Sequence, residues 1–222
     1  MKIVKSDFQL TIIIPLLEDI DSALKTIRSI RSANTKVLII DGSKINNNIY
    51  FKSEKNVLYI HFKDSTIYEA MQEGVRLAET EFVFFAGAGD LIEDIVYMHN
   101  SDVTVGQFRI ANGPLRDGLM CRVFWRNPLH HQATVYRRSC VSFDLSFIVL
   151  GDFDLNIRLI KSNISFAKVN STFSNIKPHC VSNNFFIAIT EGFKVYKKNK
   201  ILKLYPIYLI ALTLSQFKNK IL

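Results

Sequence analysis

Three short runs of apolar, mostly β-branched or aromatic residues constrain the fold of this chain more than any other feature. Leu10–Pro15 (LTIIIP), Val37–Ile40 (VLII) and Phe82–Ala86 (FVFFA) lack the polar residue at every second place that a half-exposed strand shows. A strand apolar on both sides must be covered on both sides, as in a parallel sheet between helical layers. The intervening segments supply those layers. Asp19–Ser32 sets Ile20, Ala23, Leu24, Ile27 and Ile30 at a 3.6-residue period, and 66–79 does so with Ile67, Ala70, Met71, Gly74, Val75 and Ala78. Val57–Phe62 reads as a further strand.

Strand and helix thus alternate over the first ninety residues, which implies an α/β fold with a doubly wound, mostly parallel, Rossmann-like sheet and flanking helices. Ligands of such sheets gather beyond the carboxyl ends of the strands. Asp41, in Asp41-Gly42-Ser43, and Asp90, in Gly87-Ala88-Gly89-Asp90, fall at two of those ends. Beyond Asp90 the pattern loosens: Asp102–Ile110 and Leu119–Trp125 read as strands, Asp152–Lys161 and Val181–Lys203 as helices. Pro206 then interrupts, and Ile207–Leu214 is strongly apolar.

Charge separates the end of the chain from the rest. From Gly192 onward there are seven Lys and no Asp or Glu, while the remainder carries 21 basic against 20 acidic residues. The basicity belongs to a tail, which argues against nucleic acid as a partner, since its binders line a folded face with positive charge. Cys121, Cys140 and Cys180 stand apart with no CxxC spacing, as expected of reduced thiols in a cytosolic setting. The first nine residues hold no apolar leader run.

Several residues admit both a chemical and a plain reading. Asp41 can accept hydrogen bonds from a ribose or base edge, or simply terminate a turn. Asp90 can hold a divalent cation (Mn²⁺ or Mg²⁺) on a diphosphate that approaches the small residues before it, or cap a helix beginning at Leu91. Asp152 and Asp154 open a helix on different faces, one free to meet a cleft and the other turned inward. A general base needs such a carboxylate within reach of the attacking hydroxyl, although acidic charge at a helix start is common without chemistry. His130 and His131 would point to opposite faces of a strand. His179 lies in a loop and can serve as a metal ligand or as nothing.

Taken in order, these segments resemble family 2 glycosyltransferases, especially the small bacterial ones that build colanic acid, O-antigen and capsule repeat units. Thr11–Pro15 resembles the family's opening strand, and Val37–Ser43 (VLIIDGS) its second-strand motif. Asp64–Gly74 (DSTIYEAMQEG) is similar to the subfamily pattern Asp-x-Gly-x-Tyr-Asp-Ala-Met-Asn-x-Gly. Phe85–Asp90 (FAGAGD) resembles its DxD-type motif, and His131-Gln132-Ala-Thr with Gly151–Arg158 (GDFDLNIR) its acceptor-side motifs. The likeness runs from about residue 10 to 183.

The resemblance implies a GT-A domain over 1–192, with a nucleotide-binding half at about 1–100 and an acceptor half at about 101–192, followed by a basic, apolar helical tail at 193–222. It implies an inverting transfer of a sugar from a nucleotide diphosphate-sugar to an acceptor hydroxyl. In that reading Asp152 is the catalytic base, and Pro15, Glu18, Asp41, Asp64, Tyr68 and Asp90 bind the donor. His131, Gln132, Asp154 and Arg158 lie on the acceptor side, and Asp90 and His179 meet the Mn²⁺ or Mg²⁺. The acceptor would be a glycan or lipid-linked oligosaccharide in bacterial surface polysaccharide assembly.

Some positions depart from the family pattern: Leu16-Leu17 replace a small residue and an aromatic, Lys44 follows Ser43, Thr66 replaces Gly, Gln72 replaces Asn, and Ala88 takes the place of the first acid of a DxD. These leave a non-catalytic nucleotide- or glycan-binding module as the alternative. A nucleotidyltransferase lacks support because no Gly-rich, basic loop follows the first strand. A processive synthase lacks it because Gln-x-x-Arg-Trp is absent. The largely apolar stretch Tyr205–Phe217, thirteen residues long, is too short to span a bilayer as a helix. It suits peripheral contact at the inner face of the cytoplasmic membrane, or docking on the domain or on a second subunit of a homodimer.

Overall fold

The computed structural model describes residues 9–32, 34–119, 124, 127–177 and 185–221, with side chains to 214. Nine strands and five helices follow in the order β1 (Leu10–Leu16), α1 (Ile20–Ser29), β2 (Thr35–Asp41), β3 (Val57–His61), α2 (Ile67–Leu77), β4 (Phe82–Phe85), β5 (Leu91–Ile92), β6 (Val103–Ile110), β7 (Arg116–Asp117), β8 (Thr134–Arg137), α3 (Gly151–Lys161), β9 (Phe166–Ile176), α4 (Phe185–Lys198) and α5 (Tyr205–Ile221). They form one sheet in the order β3-β2-β1-β4-β8-β6-β9-β5, with β7 added to β6. Strands β1, β2, β3, β4, β6 and β9 run one way; β5, β7 and β8 run against them. The fold is the mixed α/β, mostly parallel sheet with flanking helices that the sequence implies.

The pleat explains why the strand runs are apolar throughout. Ile12 and Ile14, Val37 and Ile39, and Phe82 and Phe84 face α1 and its Ala23 and Ile27. Their neighbours Ile13, Leu38, Ile40, Val83 and Phe85 face the other way, onto Met71 and Val75 of α2 and Leu155 and Leu159 of α3. Gly74 lets α2 come close: a Cβ there would stand 2.4 Å from Ile13 Cγ2. Thr66 begins α2 with a reciprocal capping box to Glu69, which gives this departure from the family pattern a local physical reason.

Three expectations need correcting. Leu91 starts no helix; Leu91–Ile92 pairs antiparallel with Ser174–Asn175 of β9, so Asp90 caps nothing. The histidine pair lies on a 3₁₀ turn rather than a strand, and its rings stack with centroids 5.6 Å apart instead of opposing each other. Pro206 sits in the first turn of α5, where its missing N–H costs no helical hydrogen bond. Of the segment Leu119–Trp125, Leu119 forms a bridge with Leu129 and most of the rest lies outside the described residues.

The tail packs on the domain. Phe147, Phe153 and Ile157 meet Val195 and Tyr196 of α4 and Tyr208 of α5 in a third core cluster. A boundary at 192/193 falls inside α4, where Gly192 lies against the Tyr208 ring.

Candidate active site

Asp152 stands in the first turn of α3, and α2 reaches it from across the carboxyl edge of the sheet. Gly151 allows that approach, since a Cβ there would meet the Tyr68 ring at 2.8 Å. The Tyr68 hydroxyl lies 3.0 Å from Asp152 Oδ1 and 2.7 Å from the Val149 carbonyl oxygen. Asp152 Oδ1 also accepts from the Phe153 amide at 2.9 Å. On the other oxygen, Asn127 donates at 2.7 Å and His131 Nδ1 lies at 3.3 Å. Burial pushes the Asp152 carboxyl up, but the hydrogen bond and charge of His131, followed by hydrogen bonds from Tyr68 and the Phe153 amide, outweigh it and hold the group below its ordinary value. The same neighbours drive the Tyr68 phenol strongly upward, through burial first and the adjacent carboxylate second.

The next residue of the turn, Gln132, donates from Nε2 to Asp90 Oδ2. Asp90 further accepts from the Gly87 amide at 2.7 Å and from the Lys177 amide at 3.0 Å. Burial raises its pKa, opposed by those same donors. The loop before Asp90 is pinned to α1: Thr26 Oγ1 accepts from the Gly89 amide at 2.8 Å, and Gly89 adopts φ 101°. The Lys177 stem crosses Gly89, and its ammonium donates to Ser22 Oγ at 2.7 Å and Asp19 at 3.1 Å. One turn therefore ties the two acids together, His131 to Asp152 and Gln132 to Asp90.

Asp41, expected to contact the nucleoside, is held within the loop that follows β2. Its side chain is fully buried, accepting from the Ser43 amide at 2.9 Å, Asn47 Nδ2 at 2.9 Å and the Tyr59 hydroxyl at 2.6 Å. It braces the loop after β2. The Ser43 hydroxyl in turn accepts from the amide of Glu18, which has φ 62°. Asp64, also left-handed at φ 58°, is exposed beside this loop, its amide bonded to the Gly42 carbonyl at 3.0 Å. Next to it the Ser65 hydroxyl is buried without a partner, against the face of Gly42. Pro15 is half-buried in β1, in register with Ile40. Tyr68, expected to touch the donor, stands in the Asp152 cluster.

Asp154 and Arg158 are not brought to this cluster. Asp154 is buried on the opposite face of α3, where Arg158 at 2.9 Å, Lys198 at 2.8 Å and Asn199 at 2.9 Å surround it. Their side chains, expected on the acceptor side, join α3 to α4 and to the Ser142 carbonyl.

Two contributors escaped the sequence reading. Asn127 holds Asp152 and is itself held by Asn156 at 2.8 Å. Glu191, buried on α4, accepts the backbone amides of Ile148, Val149 and Leu150 at 2.6, 2.9 and 2.8 Å. It holds the loop that leads into α3, taking the amide of the N-cap residue Leu150 and the two amides before it. The one available signal was its being the last acid before a run of lysines.

The described residues do not by themselves fit a resident metal centre. Asp90 spends three of about four lone-pair positions on protein donors, Ala88 carries no ligand, and no group of three His, Cys, Asp or Glu side chains converges among the described residues. His179 lies outside them.

No family model matches the chain. It is 25% identical over 174 residues to the PGL/p-HBAD biosynthesis glycosyltransferases of Mycobacterium bovis BCG Pasteur and Mycobacterium tuberculosis H37Rv, an alignment covering 67% of this chain and 68% of theirs. Among solved structures it superposes on S. aureus TarS 1–349 in complex with UDP-GlcNAc, with TM-score 0.64, 14% identity and coverage of 88% of this chain and 70% of that one. It spans 40% of a longer TarS chain, with TM-score 0.62. The chain thus has the GT-A fold and is similar in sequence to glycosyltransferases.

Proposed function

We propose that the chain is an inverting glycosyltransferase that moves a sugar from a nucleotide diphosphate-sugar to a hydroxyl of a glycan or lipid-linked oligosaccharide, in assembly of a bacterial surface polysaccharide. One observation carries the reading: adjacent residues of a single turn hold Asp152 and Asp90. That turn sets a proton-accepting cluster beside a Gly-Ala-Gly loop suited to a diphosphate. The TarS complex with UDP-GlcNAc supports a nucleotide-sugar donor, and the mycobacterial relatives support glycolipid or polysaccharide synthesis. Asp152 remains ionised at neutral pH and is the charge on which proton removal depends. With Asp90 the one described ligand for a divalent cation, Mn²⁺ alone should leave the melting temperature unmoved and raise it only together with a nucleoside diphosphate.

A panel of nucleotide-sugars tests the reading, first by thermal shift and then by release of nucleoside diphosphate. Wild type should release it from at least one donor, and Asp152→Asn should bind that donor without turning it over. Binding without turnover by wild type would favour the non-catalytic module instead, a reading that the buried, fully bonded Asp41 supports.

The tail supports contact with an anionic leaflet. Ile207, Ile210 and Leu214 share one exposed face of α5, and Phe193 is exposed on α4 beside Tyr205, with Lys194, Lys197, Lys200 and Lys203 close in sequence. No helix among the described residues is long and apolar enough to cross a membrane. Truncation at Gly192 would strip the core of Val195, Tyr196 and Tyr208, so point changes are the proper test. Ile207→Glu/Ile210→Glu should abolish co-sedimentation with phosphatidylglycerol vesicles; unchanged sedimentation would remove the membrane from this account.

A further inference from the structure

The environment of Asp152 leaves little of it for an acceptor. A carboxylate offers about four lone-pair positions. Here Asn127 at 2.7 Å and His131 at 3.3 Å face Oδ2, while the Phe153 amide at 2.9 Å and the Tyr68 hydroxyl at 3.0 Å face Oδ1. The one Tyr68 proton is shared with the Val149 carbonyl, yet its oxygen still blocks that approach. Only 17% of the Asp152 side chain reaches solvent, against 31% for His131. An imidazole that turns Nδ1–H toward a carboxylate carries its lone pair on Nε2, away from that carboxylate.

We propose that His131 Nε2 takes the proton of the acceptor hydroxyl, and that Asp152 fixes the tautomer and stabilises the imidazolium. The inference rests on the transferase reading and moves the base by one hydrogen bond. The acceptor O–H bond breaks as its oxygen bonds the anomeric carbon. The bond from that carbon to the diphosphate oxygen breaks, and its electron pair leaves with the nucleoside diphosphate. The proton passes to Nε2 and then to solvent. The neighbouring histidine is engaged elsewhere: the half-buried His130 ring stacks on Phe108, centroids 4.1 Å apart, with its Nδ1 buried. Burial, with the His131 charge second, pulls its pKa down to about 3. His131 is thus the catalytic residue and Asp152 the positioning residue.

Two measurements on the full chain test this. In ¹⁵N-histidine-labelled protein, NMR should show neutral His131 protonated on Nδ1 and bare on Nε2, with that tautomer lost in Asp152→Asn; an Nε2–H tautomer in wild type overturns the proposal. In turnover of the nucleotide-sugar that the panel identifies, His131→Gly should lose about 10²–10⁴-fold in kcat with little change in donor KM. Added imidazole should restore part of that rate. Unchanged kcat in His131→Gly, or rescue of Asp152→Gly by formate to wild-type rates, returns the base to Asp152 and leaves the transferase reading standing. A wild-type chain that turns over no donor ends both.

Discussion

The two faces of α3 each take a carboxylate out of bulk water, but by different means. On the cleft face Asp152 is surrounded by neutral donors, Tyr68, Asn127 and a backbone amide, with the His131 imidazole at its more open side. On the rear face Asp154 has no exposed side-chain surface and sits between Arg158 and Lys198. Neutral donors keep a carboxylate ionised without cancelling its charge, so Asp152 still acts on a proton or cation nearby. Two formal cations cancel Asp154 and make it a fastener. Two acids two residues apart thus divide into chemistry and architecture, and the sequence Gly-Asp-Phe-Asp does not say which is which.

The sharpest way to break this comparison is to remove each charge separately. Asp152→Asn should slow turnover by about 10²–10⁴-fold while shifting the urea midpoint little. Asp154→Asn should reverse the pattern, costing about 2–3 kcal/mol of stability because Arg158 and Lys198 lose their shared partner. Those cations are a third or more exposed and can turn to water, which keeps the cost below that of a fully buried pair. Turnover per folded molecule should stay at least tenfold above that of Asp152→Asn. Equal kinetic losses in the two variants would erase the distinction.

Glu191 links the two faces, because it sits on the tail side yet holds the loop that leads into Asp152. Glu191→Gln keeps the size but leaves three amides facing one neutral oxygen and an NH₂ group. It should cost about 1–3 kcal/mol, measured by chemical denaturation, and reduce kcat more than donor KM. A change in stability alone would confine Glu191 to architecture.

A last effect, absent at neutral pH, appears only on acidification. The ordinary histidine value of 6.5 falls to about 3 at His130, through burial first. Below pH 6.5 the unfolded chain binds a proton that the folded chain refuses, so this contribution to stability is full above 6.5 and declines as pH drops toward 3. The slope is at most about 1.4 kcal/mol per pH unit. His130→Phe, which can keep the stack on Phe108, should flatten that part of the stability curve.

The parallel half of the sheet was legible because strands covered on both faces leave an uninterrupted apolar run, and α1 and α2 an amphipathic one. The longest strand, β9, was not legible: FAKVNSTFSNI is mostly half-exposed and polar, and its key contact is Phe173 against Gly106, distant in sequence. The acids at the strand ends and at the start of α3 could be located but not sorted. Asp41 proved a buried brace because Asn47 and Tyr59 fold back onto it, and Asp154 a fastener because α4 returns Lys198 to it. Both facts depend on tertiary contacts that no local motif encodes. The pairing of His131 with Asp152 and Gln132 with Asp90 needed the 3₁₀ turn, where a strand reading had set the histidines on opposite faces.

The most direct measurement is ¹H NMR of the anomeric proton during turnover of the panel's best α-linked nucleotide-sugar. The account predicts that nucleoside diphosphate appears together with a first-formed β-configured sugar product, in wild type and not in Asp152→Asn. Product of retained α configuration, or equal release by the two proteins, would contradict it.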